Sequence, residues 1–246
     1  MTRPGVDQQK NRIREHIWKL LTQHHAAHDE DVRGRIPDFV GADVAADRLA
    51  DLPQWRSSQV VKAVPDKAQY PARVRALREG KVVYMAVPKL AKQHPFYLLD
   101  PAHLSVTPEV AASSTGAAEV ARNVGVDELM PIDMVICGSV AVNRRGSRLG
   151  KGAGYADIEV ALLQEAGLIG PATTIVTTVH PLQVVDTDLP ETVHDFGVDL
   201  IVTTDEVIVC GQARRPPGIV WEHLHSEKIS AIPPLALLAA ERGISW

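Results

Sequence analysis

Gly138-Ser-Val-Ala-Val-Asn143-Arg144-Arg145-Gly146-Ser-Arg148-Leu149-Gly150-Lys151-Gly152-Ala-Gly154-Tyr155-Ala-Asp157-Ile-Glu159-Val-Ala-Leu-Leu163 is the stretch on which the reading of this chain turns. Before it lies Ile132-Asp-Met-Val-Ile-Cys137, a short apolar run that predicts a buried strand, and beyond Tyr155 the apolar residues fall at helical spacing. The stretch is therefore expected to be a loop joining a strand to a helix. Its four glycines between Gly146 and Gly154 remove Cβ atoms where backbone must bend sharply or approach a ligand. The following helix points free N–H groups and the positive end of its dipole back at the loop, so an anion is favoured there. Arg148 and Lys151 add cations, and phosphate is the natural guest.

The pattern is not a known phosphate fingerprint. Gly150-Lys-Gly152-Ala-Gly154 lacks the spacing of a dinucleotide loop, and Gly152 stands where a Walker A loop requires Ser or Thr. Glycine richness alone is equally served by a tight turn carrying solvated charges.

Working outward, Asp7 is expected to cap a helix whose apolar residues Ile13, Ile17, Leu20 and Leu21 share a face, with Lys10 and Arg14 one turn apart beside it. His24, His25 and His28 follow as exposed residues at its end rather than as zinc ligands. A helix over 42–51, a strand over 59–64, a helix over 72–79 and a strand over 81–87 set up a β-α-β rhythm. Residues 88–103 look irregular, with Phe96 and Tyr97 covering the sheet or lining a pocket. Residues 109–123 look like a small-residue surface loop leading into a helix. A helix over 156–165 and strands over 173–179, 199–203 and 207–210 complete the pattern. The fold class is thus α/β, three layers α/β/α, with a mostly parallel open sheet and ligands at the carboxyl ends of its strands. Residues 1–211 form the α/β domain. Residues 212–246, with Arg214-Arg-Pro-Pro-Gly breaking the structure, form a tail that packs on the domain or on a partner chain.

Composition narrows the classes. The chain has 246 residues, enough for one generous domain, with 45% hydrophobic and 23% charged residues. Its net charge of −4 disfavours wholesale binding to nucleic acid or anionic membrane, so phosphate attraction must be local. Arg144, Arg145, Arg148 and Lys151 in one loop suggest a nucleic-acid module, against which stand the acidic balance and the absence of aromatic stacking motifs. No apolar stretch reaches the ~18 residues of a membrane span, and the N-terminus lacks a signal-peptide core. Cys137 and Cys210 each end an apolar run, and a disulfide requires those ends to meet. A reducing, cytoplasmic setting is expected.

Three ordered blocks carry a resemblance. Arg148-Leu-Gly150-Lys-Gly152-Ala-Gly154-Tyr155-Ala-Asp157 is similar to the Arg-Leu-Gly-x-Gly-x-Gly-Tyr-Tyr-Asp signature of the 5-formyltetrahydrofolate cyclo-ligase family. Lys10-Asn-Arg-Ile13-Arg14 matches its Lys-x-x-Leu-Arg, and Leu189-Pro-Glu-Thr-Val-His194-Asp195-Phe-Gly-Val198-Asp199-Leu-Ile-Val-Thr203 matches its Pro-x-x-x-His-Asp-x-x-Val-Asp-x-Ile-Val-Thr. Together they cover about residues 8 to 210.

The resemblance implies a reaction and a site. In this family ATP phosphorylates the formyl oxygen of 5-formyltetrahydrofolate, N10 closes the ring to the methenyl form, and ADP and phosphate leave. Lys10 and Arg148 would be the catalytic cations. Lys10, Arg14, Arg148, Leu149, Gly150, Lys151, Gly152, Gly154 and Tyr155 would bind ATP, and Asp157 and Asp195 would hold Mg2+. The chain departs from the family at Asn143, usually Asp, at Lys151, usually Tyr, and at Ala156-Asp157-Ile158 within the signature. The stretch Tyr70-Pro-Ala-Arg73 also lacks the glutamate with which the family usually begins the helix after the first strand. These departures resemble cyclo-ligase-like paralogues, linked to other roles including thiamine metabolism, that bind a nucleotide or another phosphorylated or pterin-like molecule. The expected partner is a small molecule, in a monomer or homodimer.

Overall fold

The computed structural model describes residues 4–211 and 214–246. The first three residues of the polar N-terminus, and Gln212, the expected start of the tail, lie outside the described residues.

The strands are β1 (Val60–Ala63), β2 (Val82–Ala86), β3 (Phe96–Leu99), β4 (Arg122–Val124), β5 (Met134–Cys137), β6 (Ala141–Asn143), β7 (Arg148–Leu149), β8 (Thr174–Thr178), β9 (Val184–Val185), β10 (Leu200–Val202) and β11 (Val207–Val209). Eight form one sheet in the order β11-β10-β8-β5-β1-β2-β3-β4. Its centre, from β10 to β2, is parallel, and its margins pair antiparallel. The central strands are apolar runs because both of their faces are covered. A smaller sheet, β7-β6-β9, leans on the carboxyl end of the large one.

The helices are α1 (Pro4–Gln23), α2 (Ala42–Ala50), α3 (Pro53–Ser57), α4 (Tyr70–Arg78), α5 (Pro108–Ala112), α6 (Ser114–Val120), α7 (Tyr155–Glu165), α8 (Ser226–Ser230) and α9 (Pro233–Glu241). α2, α4, α5 and α6 build one apolar layer with the sheet. α7, α8 and α9 build the opposite one, where Ile229, Ile232, Leu235 and Ala239 are buried beside strand residues such as Val135 and Ile175. α1 packs Ile17, Trp18 and Leu21 against Val140, Ala141 and Leu149 of the small sheet. This is the α/β architecture with helices on both faces that the strand and helix rhythm predicts.

Several local expectations are corrected. Residues 138–154 are not a plain loop, since β6 and β7 form a hairpin within them. Asn143 closes its turn by accepting hydrogen bonds from the backbone N–H groups of Arg145 and Ser147, and Gly146 takes the left-handed φ of 89° there. The irregular segment after Pro88 contains β3, which buries Phe96 and Tyr97 on opposite faces. The expected surface loop at 109–123 is α5, α6 and β4, whose Ala111, Ala112 and Ala117 are fully buried. Asp7 sits inside the first turn of a helix that starts at Pro4 rather than capping it. Cys137 and Cys210 are free thiols.

Candidate functional site

One cavity of about 530 Å3 opens at the carboxyl ends of β1 and β5. The start of α7 forms its floor. α7 follows Gly154, whose φ of 74° makes the abrupt turn into the helix, and no side chain caps its first N–H groups. Those donors therefore face the cavity without a side-chain cap, beside Asp157 of the same first turn.

Three cations from two distant segments gather there. Arg14, from α1, donates from Nε to the Gly150 carbonyl at 2.7 Å and from Nη1 to Asn11 Oδ1 at 2.6 Å. Arg148, from β7, lies over the Phe196 ring at 4.0 Å and sets Nη2 3.8 Å from Asp157 Oδ1. Its Nε is buried without a hydrogen-bond partner among the described residues. Lys10 donates to Asp195 Oδ2 at 2.5 Å, and that same oxygen accepts from the N–H and hydroxyl of Thr192. Two of the glycines leave room for these guanidinium groups. A Cβ at Gly150 would lie 3.2 Å from Arg148 Nη1, and one at Gly152, already at φ 100°, would lie 3.3 Å from Arg14 Cζ.

Lys10 and Arg14 are thus buried rather than solvated, because α1 lays the face beside its apolar stripe against the glycine loop. Lys151 extends instead toward Asp66, with 3.1 Å between Nζ and Oδ1. Asp66 was hidden in the sequence among ordinary loop residues. Its signal is position, three residues past the carboxyl end of the parallel strand β1, where it lines the cavity. Of the other arginines, Arg144 pairs with Glu206 at 2.6 Å and Arg145 with Asp188. The four loop cations therefore do not form one basic patch.

Charge in the cavity is closely balanced. Lys10, Arg14, Arg148, Lys151 and Lys228 face Asp7, Asp66, Asp157 and Asp195. Burial pushes the Asp157 carboxyl up, against the pull of Arg148 and reinforced by Asp195. Burial acts the same way on Asp195, but the Lys10 ammonium and the Thr192 donors outweigh it and hold that carboxyl below its ordinary range. Among the described residues no group of three or more His, Cys, Asp or Glu is arranged to hold a metal. Asp157 and Asp195 do share the cavity, a carboxylate count that suits Mg2+ completed by phosphate oxygens and water. An anion fits better still: an orphaned guanidinium N–H and uncapped helix amides both favour it.

Beneath the floor, Lys62 of β1 and Glu159 of α7 form an ion pair at 2.7 Å, with side chains 1% and 5% exposed. Burial pushes the Glu159 carboxyl up, and Lys62 opposes it.

The Lys10–Asp195 pair gives a pH-dependent prediction. Asp195 titrates below its ordinary 3.8 in the folded state, so its stabilisation is complete above that pH and is lost as pH falls through the folded value. Lys10→Met is expected to lower stability at neutral pH by about 3 kcal/mol, as breaking a buried pair does. The deficit should shrink below pH 3.8. Thermal melts of both proteins from pH 3 to 7 check this, and a deficit independent of pH would refute it.

A family model for the 5-formyltetrahydrofolate cyclo-ligase family matches residues 6–204, which include Lys10, Arg14 and Arg148. The chain belongs to that family. Among relatives of this chain, the mouse methenyltetrahydrofolate synthase domain-containing protein is 37% identical over 242 residues, covering 95% of this chain. Its human counterpart is 36% identical over 244 residues, covering 96%. This chain spans 63% of the length of each. The Aquifex aeolicus 5,10-methenyltetrahydrofolate synthetase structure superposes with a TM-score of 0.51 at 22% identity, covering 87% of this chain and all of that one. It shares the fold of this cyclo-ligase family member. No helix among the described residues is long and apolar enough to cross a membrane.

Proposed function

We propose that this chain is an ATP- and Mg2+-dependent ligase that closes 5-formyltetrahydrofolate to 5,10-methenyltetrahydrofolate. The observation that carries the reading is the convergence of Lys10 and Arg14 from α1 with Arg148 and the glycine loop on one cavity that also contains the start of α7. Family membership supports the reaction class.

In this reading the terminal phosphoryl group of ATP is transferred to the formyl oxygen and ADP leaves; because five cations and four carboxylates nearly cancel among themselves, Mg2+ held by Asp157 and Asp195 would supply the charge that offsets the phosphates. The chain supplies position and field. Arg148 Nε and the first amides of α7 donate to phosphate oxygens. Arg14 is held flat on the loop by the Gly150 carbonyl and closes the opposite side. Asp195 orients Lys10 toward the same space, leaving Asp157 as the carboxylate nearer to a metal. Tyr155 borders the loop, and Asp66 and Lys151 face the substrate side. No side-chain nucleophile is needed.

Purified protein incubated with 5-formyltetrahydrofolate and MgATP is expected to produce methenyl absorbance together with ADP. The second reading is a paralogue that binds a nucleotide with another phosphorylated or pterin-like substrate, a reading tied to thiamine metabolism in such paralogues. It draws on Lys151, which occupies a family tyrosine position and pairs with Asp66. Nucleotide binding without methenyl formation at high enzyme concentration would favour it. No nucleotide binding at all would sink both.

A further inference from the structure

The cavity is closed by residues outside the shared family region. The family match ends at 204, yet Gly218, Val220, His223, Leu224 and Lys228 line the same cavity as the glycine loop. The matches to the mouse and human relatives cover 95% and 96% of the chain, so they run on into this segment.

Its course is pinned along α7. At the carboxyl end of that helix, Gln164 Nε2 donates to the Pro216 carbonyl at 2.6 Å, and Glu165 Oε1 accepts from the Ile219 N–H at 2.7 Å. Gly218, at φ 114°, turns so tightly there that a Cβ would lie 2.7 Å from Glu165 Oε1. At the amino end of α7, Lys228 Nζ donates to the Ala153 carbonyl at 3.0 Å and lies 3.8 Å from the centre of the Tyr155 ring. Eleven residues of helix span about 16 Å, a distance that residues 216–228 bridge. Ile219, Trp221 and Leu224 pack inward on the core, so the segment is a fixed strap with one face left to the cavity.

On that face stand two imidazoles. His223, exposed on the strap, meets His194 edge to face with ring centres 5.8 Å apart and planes at 83°. His194 immediately precedes Asp195, the partner of Lys10. The pair thus stands beside the cation cluster, where a phosphate-bearing ligand must direct its remaining part.

We propose that the strap from Pro216 to Lys228 is the specificity wall of this site, and that His223, braced by His194, is the platform for a planar nitrogen heterocycle carried by the ligand. Flat heteroaromatic rings stack on histidine as on other aromatic side chains, and a ring held there keeps its attached phosphates over the glycine loop. Because the strap is tied to the loop through Lys228, ring and phosphate recognition share one rigid wall. The inference rests on the proposed nucleotide site and adds the residues that choose what the phosphates are attached to.

Calorimetric titration of the full chain tests it with three probes: ATP, inorganic tripolyphosphate and 5-formyltetrahydrofolate. The variants are His223→Ala and His223→Phe, both at an exposed position that leaves the core intact. His223→Ala is expected to weaken ATP about tenfold, in line with the loss of one stacking contact, and to leave tripolyphosphate unchanged, while His223→Phe restores ATP. The same pattern on 5-formyltetrahydrofolate instead of ATP also supports the wall and identifies its ring as the pterin. Unchanged affinity of His223→Ala for all three probes overturns the inference and leaves the nucleotide site standing, as does failure of His223→Phe to restore what His223→Ala lost. Absence of both ATP and tripolyphosphate binding by the unaltered chain removes the nucleotide site and the wall with it.

Discussion

Arg148→Met is expected to lower ATP-dependent kcat/KM by about 10²- to 10³-fold, the scale of losing one preorganised donor to a developing anion. Three properties make this residue more consequential than the other cations. Its side chain is 3% exposed, so its charge acts through little solvent. Its Nε has no partner among the described residues, so a ligand oxygen meets a donor that need not first release another contact. Its guanidinium plane rests on Phe196, fixing the direction of that donor. Methionine keeps most of the volume and removes all three. Arg148→Lys restores the charge but neither the fork nor the stacking, and should recover about tenfold of the loss. Tripolyphosphate affinity and steady-state kinetics measured together check this. A variant that turns over normally would mean that Arg148 only shields Asp157.

The second large effect falls on stability. Lys62→Met leaves Glu159 buried without its cation and is expected to destabilise the fold by about 3–5 kcal/mol. The double variant Lys62→Met/Glu159→Leu should regain most of this, because replacing both members of a buried pair with apolar groups is commonly neutral or better. Glu159 titrates above its ordinary 4.5 in the folded state. Folding therefore favours its protonated form, and the penalty is absent below that value and grows as pH rises through the folded one. Without Lys62 the upward push is unopposed, so the defect of the single variant should shrink from pH 7 toward pH 5. Urea unfolding at several pH values measures both claims. A double variant no more stable than the single would show that the pair is needed for more than mutual neutralisation.

These two residues mark the limit of what the sequence disclosed. The parallel centre of the sheet was legible because its strands are continuous apolar runs, and α7 because its apolar residues recur at helical spacing after a cluster of glycines. Lys62 breaks one such run, and only the coordinates reveal that its charge is answered by Glu159 from the opposite layer. The pairing of Lys10 with Asp195 spans 185 residues of chain, a separation over which no local pattern operates. β6 and β7 have three and two residues, too few for alternation to register, so a hairpin was read as loop. α5 and α6 were read as surface because alanine is weakly hydrophobic. Their burial comes from close approach to α4 and β3, which small side chains permit. The cations and glycines that position-by-position resemblance named all line one cavity. The resemblance was silent on the strap and on Asp66, which reaches the cavity from the turn before α4.

Lys10 and Lys228 border one cavity from positions 218 residues apart. During synthesis the N-terminal helix emerges long before the segment that will stand across from it, and the sheet can assemble in the interval. Ligand capture thus waits on residues made after every strand of the sheet, and a product truncated after β11 would carry those strands but lack one side of its vessel.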